Sequence, residues 1–132
     1  MDQIRRNILL GASGALGGAA LAAPGALAAP RDEVTLLSSY IAGTAYHRAG
    51  EAAAALRPGD RVTLRREPGN DYDPRAIAVR TRSGSKLGYL PRVDNHALAS
   101  LMDRGFEVTA RVHEVVPDRR QPDIRLKVFL AV

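Results

Sequence analysis

The sequence predicts a small, mainly β barrel with two short helices, and three observations carry that expectation. Short segments alternate apolar and polar side chains at period two. Pro, Gly, Asn and Asp cluster between those segments, and only two stretches change to helical character. Of the 132 residues, the first 28 read as a leader. That leaves about 100 residues, enough for one core and too few for two.

The elements follow in order. Val34 to Gly43 is the first strand, β-rich around Leu36, Leu37, Tyr40 and Ile41. Ala49 to Leu56, with Glu51 and a run of Ala, is a short helix closed by Pro58-Gly59. Arg61 to Arg66 alternates, with Val62 and Leu64 facing one way and Arg61, Thr63 and Arg65 the other. A polar loop, Glu67 to Pro74, leads to a strand over Ala76 to Thr81 with Ile77 and Val79 inward. Ser83-Gly84-Ser85 turns it back into Lys86 to Leu90. After Pro91 the period becomes helical, with Val93, Ala97, Leu98, Leu101 and Met102 as the buried stripe and Gly105 as the stop. Phe106 to Val116 and Ile124 to Val132 alternate again. Their inner positions are Phe106, Val108, Ala110 and Val112 against Ile124, Leu126, Val128 and Leu130.

The leader has the parts of an export signal. Arg5-Arg6 are followed by an apolar opening at Ile8-Leu9-Leu10 and an A-x-A site at Ala26-Leu27-Ala28. Residues 11–29 hold nine Ala and five Gly but only three Leu, too weakly apolar for a membrane span. The paired arginines resemble a twin-arginine signal, although Ile4 and Ile8 depart from that pattern. The expectation is cleavage after Ala28, a linker over 29–34, one domain over 35–132, and an exported product in the periplasm or outside the cell. A Sec signal or a retained anchor is the alternative, and a non-functional leader would leave the protein in the cytoplasm.

The formal net charge is +5, with 19 Lys and Arg against 14 Asp and Glu, and only Lys86 and Lys127 are not Arg. Guanidinium forks suit phosphate or carboxylate, but genome composition produces the same bias. The absence of Cys excludes disulfides, thiol nucleophiles and Cys-type zinc sites. Arg61 to Arg92 carries eight basic residues against three acidic, with Tyr72 and Tyr89 interleaved. Rings beside guanidinium groups suit a single nucleic-acid strand, since rings stack on bases and Arg meets phosphates. An ordinary solvated strand face explains the same composition.

The motif is more specific. Gly43-Thr44-Ala45-Tyr46-His47 precedes a run with Leu64, Arg66, Glu67, Pro68, Asn70, Tyr72, Asp73, Ala76, Ile77 and Val79 in order, followed by Gly88-Tyr89-Leu90-Pro91. This fits L-x-R-[DE]-P-x-N-x-[YF]-D-x-x-A-I-x-V and then G-[YH]-[LI], and it resembles the HIRAN domain family over roughly Thr35 to Val132. The resemblance implies a modified oligonucleotide-binding (OB-like) barrel, a module often fused to helicase or nuclease modules, which it could serve in trans here. It implies binding of single-stranded DNA at a free 3′-hydroxyl end. Tyr46 and Tyr72 would then meet the terminal nucleotides, Asp73 would accept from the 3′-hydroxyl, and Arg92 would meet phosphate. Tyr89 stands where the family can carry His, and Ala45 where a basic residue can precede the tyrosine.

Chemistry independent of the family supports Asp73. A carboxylate is a poor neighbour for phosphate and a good acceptor for a hydroxyl. The bland alternative is a turn residue bonding its own backbone before Arg75. For Tyr46 and Tyr89 it is a half-buried barrel aromatic, and Arg66 reads as a loop brace paired with an acid. No catalytic residue, metal or cofactor is expected. Glu67, Asp71 and Asp73 could hold Mg²⁺ for phosphodiester cleavage, though Asp71 and Asp73 share a face only if the loop is extended. Scattered His47, His96 and His113 argue against zinc, and the missing nucleotide loop against an ATPase. The other function class is an exported adaptor binding protein or a surface polyanion, with a hydrolase by family association as a lesser alternative.

Overall fold

The computed structural model describes residues 32–132; the proposed leader and its cleavage site lie outside the described residues. Six strands pair antiparallel in the order β1-β6-β5-β2-β3-β4. They are β1 (Glu33–Tyr40), β2 (Arg61–Arg66), β3 (Ile77–Arg80), β4 (Lys86–Tyr89), β5 (Val108–Val116) and β6 (Asp123–Ala131). A 3-10 turn (Thr44–His47) and helix α1 (Ala49–Ala53) follow β1, and helix α2 (Arg92–Asp103) joins β4 to β5. This is the mainly β, two-helix architecture that the alternation predicts, OB-like as the family resemblance implies.

The ends of the sheet meet at one point. Ala42, just past β1, forms an antiparallel bridge with Tyr89 of β4: its amide donates to the Tyr89 carbonyl at 2.7 Å and its carbonyl accepts the Tyr89 amide at 3.0 Å. The seam is therefore clasped by two backbone bonds rather than by a full strand ladder. Gly88 makes the approach possible. Its φ is 154°, and a Cβ there would overlap the Ala42 carbonyl oxygen and lie 2.8 Å from the Ile41 side chain.

The core is filled from β3, β4, β6 and α2. Ile77, Val79, Leu87, Leu98, Ile124, Leu126 and Val128 are its largest fully buried side chains. The buried set of the β5–β6 hairpin follows alternation: Val108, Ala110, Val112, Ile124, Leu126 and Val128 are all buried, with Ala110 opposite Val128, Val112 opposite Leu126 and Val108 opposite half-buried Leu130. A register shift between Val112 and Glu114 then ends the simple pattern.

Two sequence expectations are corrected. The buried stripe of α2 is Asn95, Leu98 and Ala99 with half-buried Leu101 and Met102, whereas Ala97 is exposed and Val93 is 82% exposed. Asn95 turns inward because its amide bonds Asp73, and Asp94 accepts the Ser39 hydroxyl at 2.7 Å. Those polar contacts set the rotation of the helix. Phe106 is not an inner strand position but is 50% exposed. Its amide bonds the Leu101 carbonyl while the Gly105 amide bonds Met102, a Schellman cap with Gly105 at φ 89°.

Candidate nucleic-acid interface

The Glu67–Pro74 loop is built on Asn70. Its side-chain oxygen accepts the amides of Tyr72 at 2.9 Å and Asp73 at 3.1 Å, and its NH₂ donates to Glu67 at 3.2 Å. Asn is suited to this because its short amide mimics a backbone turn. Arg66 braces the loop from outside, donating to the carbonyls of Pro74 and Ala76 and to the Asp103 carboxylate on α2. It is a structural brace, as its place in the sequence suggested.

With its backbone spent in this turn, the loop presents Tyr72 outward at 87% exposure. Across from it, the Thr44–His47 turn presents Tyr46 at 89% exposure. That turn starts at Gly43, φ 75°, and is pinned by the buried Thr44 hydroxyl, which donates to the Pro122 carbonyl at 3.1 Å. Two large aromatic side chains so exposed are not core residues, and both stand over one groove.

The groove has a volume of about 750 Å³ and lies across the clasped seam, with Ala42 and Gly43 on one side and Tyr89 and Leu90 on the other. That volume is typical of a small-ligand cleft. All five residues singled out from the sequence line it: Tyr46, Tyr72, Asp73, Tyr89 and Arg92. His47, Asn70 and Asn95 line it too, and the sequence reading gave none of them a binding role. Asn95 was within reach of a helical argument, since it stands one turn after Arg92.

Asp73 is held firmly. One carboxylate oxygen accepts the Arg75 amide at 2.9 Å, and the other accepts the Asn95 amide at 2.8 Å with the Arg92 guanidinium 3.7 Å away. The Arg75 amide first, then Asn95 and Arg92, hold its carboxyl below its ordinary value, against a small opposing effect of burial. It therefore stays ionised and acceptor-only near neutral pH. Its side chain is still 17% exposed, so lone pairs remain open to the groove. The turn reading and the ligand reading of Asp73 are thus compatible: the turn aims the carboxylate.

Arg92 donates to the Tyr72 carbonyl at 2.5 Å and pairs with Asp73 at 3.7 Å, yet its side chain remains largely exposed. The Tyr89 ring lines the groove, but its hydroxyl is committed below it, donating to Glu67 at 2.8 Å and accepting from Lys86 at 2.5 Å. Burial raises the Glu67 carboxyl, and hydrogen bonds from Tyr89, Lys86 and Asn70 more than reverse this, leaving it below its ordinary value. His47 packs edge-on to Tyr89 with ring centroids 5.4 Å apart. Burial, helped by the Lys86 charge, lowers the His47 pKa.

The basic stretch divides accordingly. Arg66, Arg80, Lys86 and Arg92 bond within the protein, whereas Arg61, Arg65, Arg75 and Arg82 are exposed. The acids divide as well, Glu67 turning to Lys86 and Asp73 to Asn95. Among the described residues no group of three or more His, Asp or Glu is placed to hold a metal ion.

Comparison with known proteins agrees with the motif. Residues 34–132 match the model of the HIRAN domain family. The helicase-like transcription factors of rabbit (Oryctolagus cuniculus) and human are 33% and 31% identical over 81 residues, which are 61% of this chain but 7% of each relative. Among solved structures, a protein from Lactobacillus plantarum superposes with a TM-score of 0.68 at 34% identity, covering 76% of this chain and 97% of that one. The crystal structure of the human HLTF HIRAN domain superposes with a TM-score of 0.60 at 24% identity, over 71% of this chain and 73% of that domain. With its motif in order, its groove assembled and three-quarters of its length matched, the chain belongs to the HIRAN domain family.

Proposed function

We propose that the domain binds single-stranded DNA at a free 3′-hydroxyl end. Family membership supports the coarser part, a nucleic-acid-binding module rather than an enzyme. One observation carries the finer part: an ionised, amide-anchored Asp73 opens into a groove flanked by two exposed tyrosines. The rings offer stacking worth about 1–3 kcal/mol per base. The carboxylate repels phosphate and accepts a hydroxyl, so it favours a chain end over a continuous strand. Arg92 and the exposed arginines add the salt-sensitive, sequence-independent attraction. A separate helicase or nuclease protein is the proposed partner, and export through the Arg5-Arg6 leader is the proposed route, tested by the mass of the N-terminus in periplasmic or secreted material.

The test is fluorescence anisotropy with short oligonucleotides that differ only at the 3′ terminus. Tyr46→Ala and Tyr72→Ala should each weaken binding roughly five- to a hundredfold. Asp73→Ala should weaken binding to hydroxyl ends while narrowing the gap between hydroxyl and phosphate ends. Equal affinity for hydroxyl, phosphate and circular strands would reduce the groove to a general basic surface. Stronger retention on a heparin-like polyanion than on DNA would favour the exported adaptor.

A further inference from the structure

Beside the groove lies a second hollow of about 1000 Å³, lined by Arg48, Arg119 and Arg120 together with Ala45, Gly50 and Glu51. The Thr44–His47 turn runs between the two depressions. Tyr46 and His47 line the groove, while Ala45 and Arg48, their neighbours in sequence, line the hollow. Three cations against the single acid Glu51 leave the hollow positive.

The hollow is a built feature. Gly50 of α1 backs onto the β5–β6 connection so closely that a Cβ would overlap the Arg119 carbonyl and lie 2.9 Å from that of Asp118. Thr44 pins the other end of the same connection through Pro122. Asp118 caps the connection, its carboxylate accepting the amides of Arg120 and Gln121, both at 2.8 Å. That acid is absorbed by the turn's own amides. The guanidinium groups of Arg48, Arg119 and Arg120 engage no hydrogen bond or salt bridge among the described residues, and all three residues are exposed. Arg48 is also the single non-glycine residue at positive φ among them, at 55°, a conformation that such residues seldom adopt.

We propose that this hollow is the track for the sugar-phosphate backbone of the strand whose 3′ end occupies the groove, with Arg48, Arg119 and Arg120 meeting phosphates upstream of the terminal nucleotides. The inference rests on the end-binding reading and extends it by a second site. A strand leaving the groove over the Tyr46 ridge reaches the Arg48 side directly, because the two residues belong to one turn and its following residue. Unpaired, planar guanidinium forks suit successive phosphates.

The experiment compares a tetranucleotide with a dodecanucleotide, both with 3′-hydroxyl ends, on wild-type protein and on the double variants Arg119→Ala/Arg120→Ala and Arg119→Glu/Arg120→Glu. These exposed side chains make no hydrogen bond or salt bridge among the described residues, and thermal melting verifies that the variants remain folded. The alanine pair should bind the tetramer within twofold of wild type. It should bind the dodecamer roughly ten- to thirtyfold more weakly at 0.1 M salt, with the slope of log K against log salt shallower by about 1.4 for two lost phosphates. The glutamate pair should enlarge the dodecamer loss. Equal losses on both lengths, or none on either, overturn the track. So does a variant that keeps dodecamer affinity but loses binding of a deca-glutamate peptide, which would assign the hollow to an acidic protein partner. Wild-type protein that binds neither oligonucleotide overturns the end-binding reading itself, a result separate from normal wild-type binding with unresponsive variants.

Discussion

Gly88→Ala probes the seam of the barrel. Gly88 sits at φ 154°, where an L side chain is strained whatever space surrounds it, at a cost of about 1–3 kcal/mol. The added methyl would also meet the Ala42 carbonyl and the Ile41 side chain, so one wall of the seam must move. Moving it breaks the Ala42–Tyr89 bridge, two backbone bonds of 2.7 and 3.0 Å, worth about 0.5–1.5 kcal/mol each. The sum is about 2–6 kcal/mol, a large part of the roughly 5–15 kcal/mol that holds a domain folded. Gly84→Ala is the matched control: φ is 103° but nothing lies within 4 Å of its Cβ, so it carries the backbone cost without the collision. Urea denaturation followed by circular dichroism should place Gly88→Ala below Gly84→Ala by at least about 1 kcal/mol, the worth of the two bonds. DNA binding should fall with it, because the groove straddles the seam. Equal stabilities for the two variants would refute the clasp.

Arg66→Ala should destabilise the domain by about 2–3 kcal/mol, since its guanidinium ties loop carbonyls to α2, while leaving the salt slope of DNA binding unchanged. Denaturation and anisotropy on one preparation check both halves. Tyr89→Phe keeps the ring in the groove but removes the hydroxyl between Glu67 and Lys86, so stability should drop by about 1–2 kcal/mol with DNA affinity within about threefold. Acid should weaken the fold in a defined sense. Glu67, Asp73 and Asp103 are held below their ordinary values of 4.5, 3.8 and 3.8, so their contribution is complete above those values and is lost as pH falls through the lowered ones. Lys86 is held above 10.5 by Tyr89 and Glu67, which together outweigh its burial, and its contribution is lost only as pH rises through that raised value. His47, held below its ordinary 6.5, adds a loss that begins as pH falls below that value. Stability should therefore be flat above it, decline through mild acid, fall further as the carboxylates protonate, and fall again at high pH, as pH-dependent urea midpoints would record.

Period-two patterning made most of the sheet legible. Arg61 to Arg66 is a strand at the predicted residues, and the buried set of β5 and β6 follows from alternation. Helix α2 was misphased because its orientation is set by polar side chains, Asn95 reaching Asp73 and Asp94 reaching Ser39, to which an apolar period is blind. Phe106 reads as a strand residue because the apolar position after the glycine of a Schellman cap also continues the period-two pattern of β5. The five candidate residues came from the family resemblance, carried over position by position, and the fold brings all of them to one groove. His47 and Asn95 line the same groove, but what places them there, a ring packed on Tyr89 and an amide bonded to Asp73, are tertiary contacts that no sequence period carries. The seam was invisible for a simpler reason: a single residue pair has no periodicity.

The tethering of the Glu67–Pro74 loop bears on how a ligand arrives. Asn70 fixes the loop from within, Arg66 from outside, and Arg92 holds the carbonyl of Tyr72 itself. A recognition surface fixed this way during folding loses little conformational entropy when its ligand docks. Under the proposed end-binding reading, discrimination between chain ends is then a property of a preorganised mould rather than of an adaptive loop. In that regime association is governed by encounter and charge steering, and differences between termini are expressed mainly in how long each one stays bound.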